Sequence, residues 1–404
     1  MKIISAKNIG STLLLILVLK YFSLIFSIDF LDPIQNTIED FKITDIVFSD
    51  RPDDDSIPID TNVVLINIGK LNRYGIAKEI EILNKYQPKV IAIDAFFTEE
   101  KEPKFDSTMA AVFAKTKNLV LVSELQDYNQ KELTFDTITV SHPKFNKYAT
   151  NGFANVVINE SDFRTVRYFM TLGEYRDKRQ HSFPVVVSRL FDSAAYGKLM
   201  DREKKIEIIN YKRNADKYLS INYPEVFSGE KDLSFIKDKI VLMGYLGPDI
   251  FSPTVEDMFF TSMNDRFVGK NYPDMYGVVI HANIISMILN KEYCSEVPFW
   301  LSSLLIYLFF YSTMVFFTFL REKHYKWYES VSILLGIVQL VALLLLMLFL
   351  FSAFNISMEI EGVFFGVIFS KQAYEIWNDS FAIMIIEFME KRNFPAFLIN
   401  IIKS

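Results

Sequence analysis

Residues Val63–Phe97 read VVLINIGKLNRYGIAKEIEILNKYQPKVIAIDAFF. This stretch contains a short apolar run (63–68), a segment with apolar residues at helical spacing (76–86) and a second apolar run (90–97). Apolar runs joined by a helix are typical of strands that are buried on both faces of a parallel sheet and connected by right-handed crossovers. The stretch therefore predicts a β-α-β unit.

The same pattern recurs further along the chain. Thr108–Thr116 has helical spacing, and Leu119–Ser123 is a third apolar run. Lys239–Gly244 predicts another buried strand, which is followed by the helical pattern of Gly277–Leu289. Further strands, with antiparallel pairing, are predicted at Phe153–Ile158, Tyr168–Leu172 and Ile206–Ile209. The sequence therefore predicts an α/β domain with a mainly parallel mixed sheet and flanking helices.

Apolar segments long enough to cross a membrane lie towards both ends of the chain. Leu13–Leu31 is the first, and a cleavable signal peptide is its alternative, although no small-x-small cleavage site follows it. Pro298–Leu320 and Ser330–Phe351 are the second and third. Whether the shorter segment 356–370 also crosses the membrane is left open. These segments predict α-helical transmembrane segments around a water-facing domain.

Charged residues set the expected orientation of these segments. Lys2 and Lys7 precede the first span, and Arg321 follows the second, so the positive-inside rule predicts a cytoplasmic N-terminus. The predicted parts are a cytoplasmic tip with a transmembrane anchor (1–32), an extracytoplasmic α/β domain (33–297), two to three transmembrane helices (298–371) and a short amphipathic cytoplasmic tail (372–404).

Three charges fall inside or beside the predicted spans. Lys20 lies near the middle of the first span, where a charge is costly unless it faces a partner or reaches the membrane surface. Glu359 and Glu361 begin the short segment before Ser370. All three are candidates for contact with the membrane or with a partner protein.

Polar residues also follow the predicted strands. Asp94 lies at the carboxyl end of a buried strand, the edge where open α/β sheets hold ligands. Asp257 follows the strand at Lys239–Gly244, and His281 lies in the helix after it, so both are predicted to approach Asp94. Asn283 is included as a further candidate. The alternatives are that Asp94 caps a loop or pairs with a basic residue, or that the group binds a metal ion.

These landmarks occur in the order of the CHASE2 domain, an extracytoplasmic sensory module, and the sequence resembles that family over residues 40–295. Asp162 and Arg167 lie in a stretch that resembles the family's Asp-Gly-x-x-Arg motif, which makes both candidate ligand-binding residues. The sequence departs from the family at Asn67 and Gly69, where an acidic pair is usual, and at Phe163, where glycine is usual. The segments that carry the resemblance are VVLINIG, IAIDAFF, FDSTMAAVFA, GFANVVINESDFRTVRYF, HSFPVVV, IKDKIVLMGYLG and GVVIHANIISMIL.

The resemblance implies a multi-pass sensor of the bacterial cytoplasmic (inner) membrane whose large domain faces the periplasm or exterior. Members usually carry a cytoplasmic output domain, and none is recognised after the helices here. We therefore expect a sensor without its own output domain, which binds a small-molecule ligand and acts through an integral membrane or cytoplasmic protein partner. The alternatives are a scaffold or accessory subunit of a larger envelope complex, and an envelope enzyme that uses Asp94, Asp257 and His281.

Composition and motifs indicate which other classes of function are not expected. The net charge is −6 with no basic cluster, so nucleic-acid binding is not expected. The single cysteine, Cys294, excludes an internal disulfide bond. No nucleophile elbow or zinc-binding motif occurs, so we expect neither an enzyme nor a cofactor.

Overall fold

The computed structural model describes residues 5–26, 42–52, 54–129, 132–157, 165–250, 252, 254–265, 272–358 and 361–403. The chain divides into two compact units. Asp45–Cys294 forms one, which we call the α/β unit, while Met1–Thr44 and Ser295–Ser404 together form the other, which we call the helical unit.

The described helices and strands follow each other along the whole chain. The α-helices are α1 (Ala6–Phe26), α2 (Ile43–Ser49), α3 (Arg73–Asn84), α4 (Pro103–Phe113), α5 (Pro143–Asn146), α6 (Phe183–Phe191), α7 (Ser193–Met200), α8 (Tyr223–Ser228), α9 (Gly277–Asn290), α10 (Phe299–Lys323), α11 (Tyr328–Phe354), α12 (Glu361–Ile376), α13 (Ala382–Lys391) and α14 (Ala396–Lys403). The strands are β1 (Asp60–Asn67), β2 (Val90–Ile93), β3 (Leu119–Asn129), β4 (Thr134–Thr139), β5 (Thr150–Phe153), β6 (Val156–Val157), β7 (Tyr168–Met170), β8 (Leu172–Tyr175), β9 (Lys178–His181), β10 (Ile206–Ile208), β11 (Tyr218–Asn222), β12 (Ile240–Gly244), β13 (Met258–Phe259), β14 (Met275–Tyr276), β15 (Ser295–Glu296) and β16 (Ile356–Ser357).

A mixed sheet forms the centre of the α/β unit. Its strand order β11-β1-β12-β2-β3 is parallel throughout, and β5 also pairs with β3 in parallel. The order continues through β4, β8 and β9, with antiparallel pairing of β3 with β4 and of β8 with β9. A second, antiparallel sheet has the order β10-β7-β6. The predicted α/β fold with a mixed sheet and flanking helices is confirmed.

Helices cover the sheet, and the residues between them form the core. Val64, Ile66 and Ile93 are fully buried in one cluster with Ile80 of α3 and Phe113 of α4. Three phenylalanine rings of this cluster contact each other edge-to-face, with centroids 5.9 to 6.2 Å apart: Phe97, Phe113 and Phe145. Burying these large side chains stabilises the unit, because each removes about 150 Å² or more of apolar surface from water.

Helix α9 is buried almost all around, which explains its nearly uninterrupted apolar sequence. Only Leu289 and Asn290, at its end, are not buried. A Cβ atom on Gly244, the last residue of β12, would lie 2.6 Å from Val278 of α9. Glycine at this position therefore lets the first turn of α9 lie directly against the carboxyl end of β12.

Element boundaries differ from the sequence prediction in several places. The single strand predicted at Phe153–Ile158 is wrong, because Phe153 ends β5, which is parallel to β3, and Val156–Val157 forms the separate strand β6. The segment Tyr168–Leu172 is likewise divided between β7 and β8. Strand β2 ends at Ile93 rather than at Phe97, because the chain leaves the sheet once the backbone N–H of Asp94 has donated to the Met243 carbonyl (2.8 Å). Strand β3 continues to Asn129, well beyond the apolar run, because β4 pairs with its polar second half.

A buried ion pair joins α3 to α4. Arg73 Nη1 donates to Asp106 Oδ1 at 2.6 Å, and Arg73 Nη2 donates to the Glu99 carbonyl at 2.6 Å. The second carboxylate oxygen of Asp106 accepts from the Lys101 N–H at 2.8 Å. Both charged side chains are almost completely buried. The pair therefore neutralises two charges that α3 and α4 enclose between them.

Glu79 of α3 is fully buried, and neither of its carboxylate oxygens has a hydrogen-bond partner among the described residues. Burial raises the pKa of Glu79 to about 8. Because the folded-state pKa lies above the unfolded value, the stability that this group contributes is greatest below the unfolded pKa and is lost as the pH rises towards 8. Because of Glu79, the free energy of unfolding of the wild-type protein should fall by about 2 kcal/mol between about pH 6 and pH 8. In Glu79→Gln this fall should disappear, as measured by urea denaturation at several pH values.

Glu81 on the same helix provides the control. Its carboxylate is exposed and pairs with Lys78 at 2.6 Å. Glu81→Gln should leave the slope of stability against pH unchanged in this range. A slope that persists in Glu79→Gln would show that another group causes it.

In the helical unit, α1 packs against α10 and α12. Among the residues that the structure describes, two helices are long and apolar enough to cross a membrane. These are Phe299–Lys323 and Tyr325–Phe354. A Cβ atom on Gly366 of α12 would lie 2.2 Å from the Phe310 ring, so glycine permits close packing of α12 on α10. Helix α12 does not end near Ser370, because a π-helical turn, Trp377–Phe381, continues it into α13.

Buried polar contacts join three of these helices near one end. Thr318 Oγ1 donates to Asn8 Oδ1 at 2.6 Å and lies 3.1 Å from the Tyr374 hydroxyl. Asn378 Nδ2 donates to Ser11 Oγ at 3.2 Å. The beginning of α1, the end of α10 and the end of α12 therefore lie at the same end of the helical unit.

Candidate functional site

Two polar side chains, Asp94 and His281, lie close together beside the carboxyl ends of β2 and β12, and a third, Asp257, lies near them. Asp94 directly follows β2, and its backbone N–H bonds to Met243 of β12. His281 lies one turn into α9, and the N–H of Gly277 at the start of this helix donates to the Asp257 carbonyl at 3.1 Å. We call the group Asp94, Asp257 and His281 the acidic site.

The geometry of the acidic site is defined best for Asp94 and His281. His281 Nε2 lies 3.9 Å from Asp94 Oδ2, and the two side chains are 7% and 17% exposed. The Phe183 ring packs edge-on against the imidazole with centroids 5.1 Å apart. Nδ1 of His281 has no hydrogen-bond partner among the described residues. Asp257 is more exposed and lies at the rim.

The pKa values of all three groups are shifted towards their neutral forms. Burial raises the pKa of Asp94 to about 6 and lowers the pKa of His281 to about 4. The pKa of Asp257 is raised to about 6, first by desolvation and then by the negative charges of Asp94 and Glu256. At pH 7 the site therefore combines two mostly ionised carboxylates with a neutral imidazole.

The acidic site contains hydrogen-bond acceptors but few donors. Among the described residues, no group of three or more His, Cys, Asp or Glu side chains could hold a metal ion. Neither carboxylate forms an ion pair with a described Lys or Arg. The arrangement is suited to binding a group that donates hydrogen bonds and carries positive charge.

Two other predicted site residues have separate partners. Arg167 is buried and binds Asp45 through two hydrogen bonds, Nε to Oδ1 at 3.1 Å and Nη2 to Oδ2 at 2.5 Å. Asn283 lies two residues after His281, so the helix turns its side chain about 200° away. Its amide donates to the Arg213 carbonyl at 2.7 Å and accepts from the Lys212 N–H at 3.0 Å. The structure does not bring either residue to the acidic site.

The other predicted site residues are not part of the acidic site, or they lie in parts of the chain that the structure does not describe. Asp162 and Glu359 are not among the described residues. Glu361 begins α12, but its side chain is not described. Lys20 is exposed on α1. Their candidate roles therefore stay predictions.

An amide network at the ends of β1 and β11 was not anticipated from the sequence. Asn67 Nδ2 donates to Asn222 Oδ1 and to the Gly247 carbonyl, each at 3.1 Å. Asn67 Oδ1 accepts from the N–H groups of Gly69 and Leu246, at 3.0 and 2.9 Å. The sequence feature that could have indicated the network is the asparagine that ends each of the two strands. This network holds the loop after β12 in place beside the acidic site.

Comparison with known protein families gives a match over most of the chain. The model of the CHASE2 domain family matches residues 13–317, three quarters of the chain. CHASE2 is a family of extracytoplasmic sensor domains. The matched range includes the whole α/β unit, with the acidic site, and most of α1 and α10. No curated protein and no solved structure matches the chain.

Proposed function

The chain belongs to the CHASE2 family, and we propose that it is a membrane-bound sensor that binds a signal in its α/β unit and acts through a partner protein. The observation that carries the proposal is the acidic site. Two carboxylates and an imidazole lie at the carboxyl edge of a parallel sheet, where α/β folds bind ligands, and no described Lys or Arg neutralises them.

Charges in the helical unit support a multi-pass arrangement in the bacterial inner membrane. Lys7 lies in the first turn of α1, Arg321 lies in the last turn of α10, and Lys371 lies in α12, close to the polar contacts that place these ends together. Positive charges favour the cytoplasmic side of a membrane. We infer that this end is cytoplasmic. The chain leaves α1 and re-enters α10 at the opposite end, so the intervening residues are extracytoplasmic.

Exposed apolar side chains in the two helices after α12 support the proposal that the protein acts through a partner. Ile383, Met384 and Phe388 of α13 and Phe397 of α14 are 49 to 65% exposed. Apolar faces of amphipathic helices bind partner proteins in grooves or lie against membrane surfaces. We infer that α13 and α14 transmit the signal to a membrane or cytoplasmic protein.

A scaffold or accessory subunit of an envelope complex is the second candidate function. The exposed faces of α13 and α14 suit docking equally well. The acidic site favours the sensor, because a scaffold has no use for a largely buried carboxylate, Asp94, that lacks a described cationic partner and therefore costs folding energy.

Co-purification tests the proposal. The full-length protein, extracted in mild detergent, should recover a specific partner, while a variant that ends at Asn378 should lose it because α13 and α14 are removed. The α/β unit should melt at the same temperature in both, because it has its own core. A matched variant with Ile383, Met384 and Phe388 changed to serine should also lose the partner.

Two results would contradict the proposal. One is full-length protein that purifies alone while the truncated variant keeps its cellular phenotype. The other concerns topology: a cysteine at Asp54 should react with a membrane-impermeant reagent added outside the cell, and one at Ser404 should not. The native Cys294 is buried and should not interfere.

A further inference from the structure

Two segments of the chain join the α/β unit to the helical unit. The entry segment, residues 45–51, directly follows Thr44, and the exit segment, residues 291–294, directly precedes Ser295. We propose that the side chain of Asn210 couples these two segments, so that a movement of one is passed to the other. The inference rests on the proposed sensor function and names the route by which a signal leaves the α/β unit.

The side chain of Asn210 bonds to both segments at once. It is 2% exposed. Its Oδ1 accepts from Nη1 of Arg51 in the entry segment at 2.7 Å, and its Nδ2 donates to the carbonyl of Glu292 in the exit segment at 2.8 Å. These neighbours fix the orientation of the amide, because a guanidinium can only donate and a carbonyl can only accept. One buried amide therefore connects two segments that are far apart in sequence.

Further contacts hold the entry segment beside this amide. Arg51 also donates to the carbonyl of Tyr211, and the Phe48 ring contacts the Tyr211 ring edge-to-face, with centroids 6.2 Å apart. Both rings are almost completely buried. Asp45 pairs with Arg167, which precedes β7, the strand that pairs with β10. The entry segment is therefore bound to β10 and its surroundings at several points.

The exit segment is bound to the same part of the chain. Lys212 Nζ lies 2.7 Å from Glu292 Oε1. Arg202 Nη2 donates to the carbonyl of Cys294 at 3.0 Å. The same guanidinium nitrogen donates to Glu207 Oε2 of β10 at 3.1 Å. Residues on both sides of β10 therefore hold the exit segment in place.

Helix α9 connects the two segments to the acidic site. The exit segment directly follows this helix. The backbone N–H of Asn210 donates to Sδ of Met287 at 3.3 Å, and Oδ1 of Asn283 accepts from the Lys212 N–H at 3.0 Å. His281 precedes Met287 by less than two turns, or about 9 Å along the helix axis. A displacement of α9 at His281 would therefore reach the exit segment directly and the entry segment through Asn210.

The polar character of these contacts distinguishes a coupling element from simple packing of chain ends. The ends of a domain often lie close together, but this does not require one buried side chain that bonds to both. The carboxylates of the Asp45–Arg167 and Glu207–Arg202 pairs are fully or almost fully buried. Buried ion pairs add less stability than apolar packing would, and their best-attested use is to specify one arrangement.

Hydrogen exchange of the purified full-length protein, measured by mass spectrometry, tests the coupling. Phe48→Ala loosens the entry segment, and it should speed exchange in the exit peptide 288–294 about fivefold or more. In an Asn210→Leu background the same change should speed exchange there less than about twofold, because both amide bonds are gone. An equal effect in the two backgrounds, or no effect on the exit peptide when Asn210 is present, would overturn the proposal.

Asn210→Asp decides the question if Asn210→Leu does not fold. Its carboxylate can still accept from Arg51 but cannot donate to the Glu292 carbonyl. Exchange in the entry peptide 45–51 should therefore stay at the wild-type rate. Phe48→Ala should nevertheless no longer speed exchange in the exit peptide, and a fivefold effect that persists in Asn210→Asp would contradict the coupling.

Asn155→Leu is the matched control. Asn155 also makes one accepted and one donated side-chain bond, at 2.8 and 2.7 Å, both with the backbone of Leu125 in β3. In this background Phe48→Ala should keep its full effect on the exit peptide. Loss of the effect here would show that general destabilisation, and not Asn210, governs exchange in the exit segment.

Partner recovery tests the sensor function separately, because the exchange rates are measured on purified protein without a partner. If the segments are uncoupled while the partner is still recovered, the sensor function stands and only the route of the signal is wrong. Coupled segments in a protein that recovers no partner would confirm the coupling and contradict the sensor function.

Discussion

Arg73→Ala should lower the free energy of unfolding of the α/β unit by about 4 kcal/mol. The change removes the guanidinium that binds Asp106 at 2.6 Å and leaves this fully buried carboxylate with only the Lys101 N–H. Losing one member of a buried ion pair is costly because the other charge stays desolvated. Urea denaturation of residues 45–294, followed by circular dichroism, measures the effect.

The effect of Arg73→Ala should depend on pH. Burial acts to raise the pKa of Asp106, but the hydrogen bonds from Arg73 and Lys101 outweigh it and hold the pKa below its usual value. The wild-type unit therefore loses this stabilisation as the pH falls through that lowered pKa. In the variant, Asp106 is easier to protonate, so the difference between the two proteins should shrink from about pH 7 to about pH 4.

Lys78→Ala is the matched control on the same helix. Lys78 is exposed and pairs with the exposed Glu81 at 2.6 Å. Exposed ion pairs contribute about 0.5 kcal/mol or less. Equal losses in Arg73→Ala and Lys78→Ala would show that the Arg73–Asp106 pair is not enclosed as described.

Asn67→Asp should lower the free energy of unfolding by about 3 kcal/mol at neutral pH, although the two side chains have the same shape. The amide nitrogen of Asn67 donates to Asn222 Oδ1 and the Gly247 carbonyl. A carboxylate oxygen in its place would face two acceptors without a proton. The loss should diminish at acid pH, where the new carboxyl can be protonated and donate. The same denaturation experiment measures it.

Asn72→Asp provides the comparison for this substitution. Asn72 caps α3, and its Oδ1 accepts from the Gly75 N–H at 2.9 Å. Aspartate is as good an N-cap as asparagine, so this variant should be as stable as the wild type or slightly more stable. If Asn67→Asp were equally harmless, the amide network would contribute nothing to stability.

Periodicity predicted the elements of the α/β unit but not their order in the sheet. The runs at 63–68, 90–97 and 239–244 each form part of a strand or a whole one, because their apolar residues require burial on both faces. Burial does not specify neighbours, so the position of β12 between β1 and β2 could not be read from the pattern.

The candidate site residues also show what a sequence pattern can and cannot predict about neighbours. Asp94 and His281 are predicted to be neighbours because both follow buried strands, and their atoms lie 3.9 Å apart. Arg167 and Asn283 are candidates that lie in segments resembling the family, and such a resemblance does not show which way a side chain faces. Their partners, Asp45 and Arg213, are far away in sequence. Pairing over such separations depends on the tertiary fold.

The position of β12 has a consequence for biosynthesis. Strand β12 pairs with both β1 and β2, yet it follows β2 by nearly 150 residues. A chain exported from its N-terminus cannot complete its central sheet until Gly244 has emerged. Such distant pairings form slowly, and the apolar strands that wait for them are prone to aggregation. With the α/β unit extracytoplasmic, as proposed above, its export should depend on chaperones that hold the first 180 or so residues after Asp60 unfolded until β12 arrives.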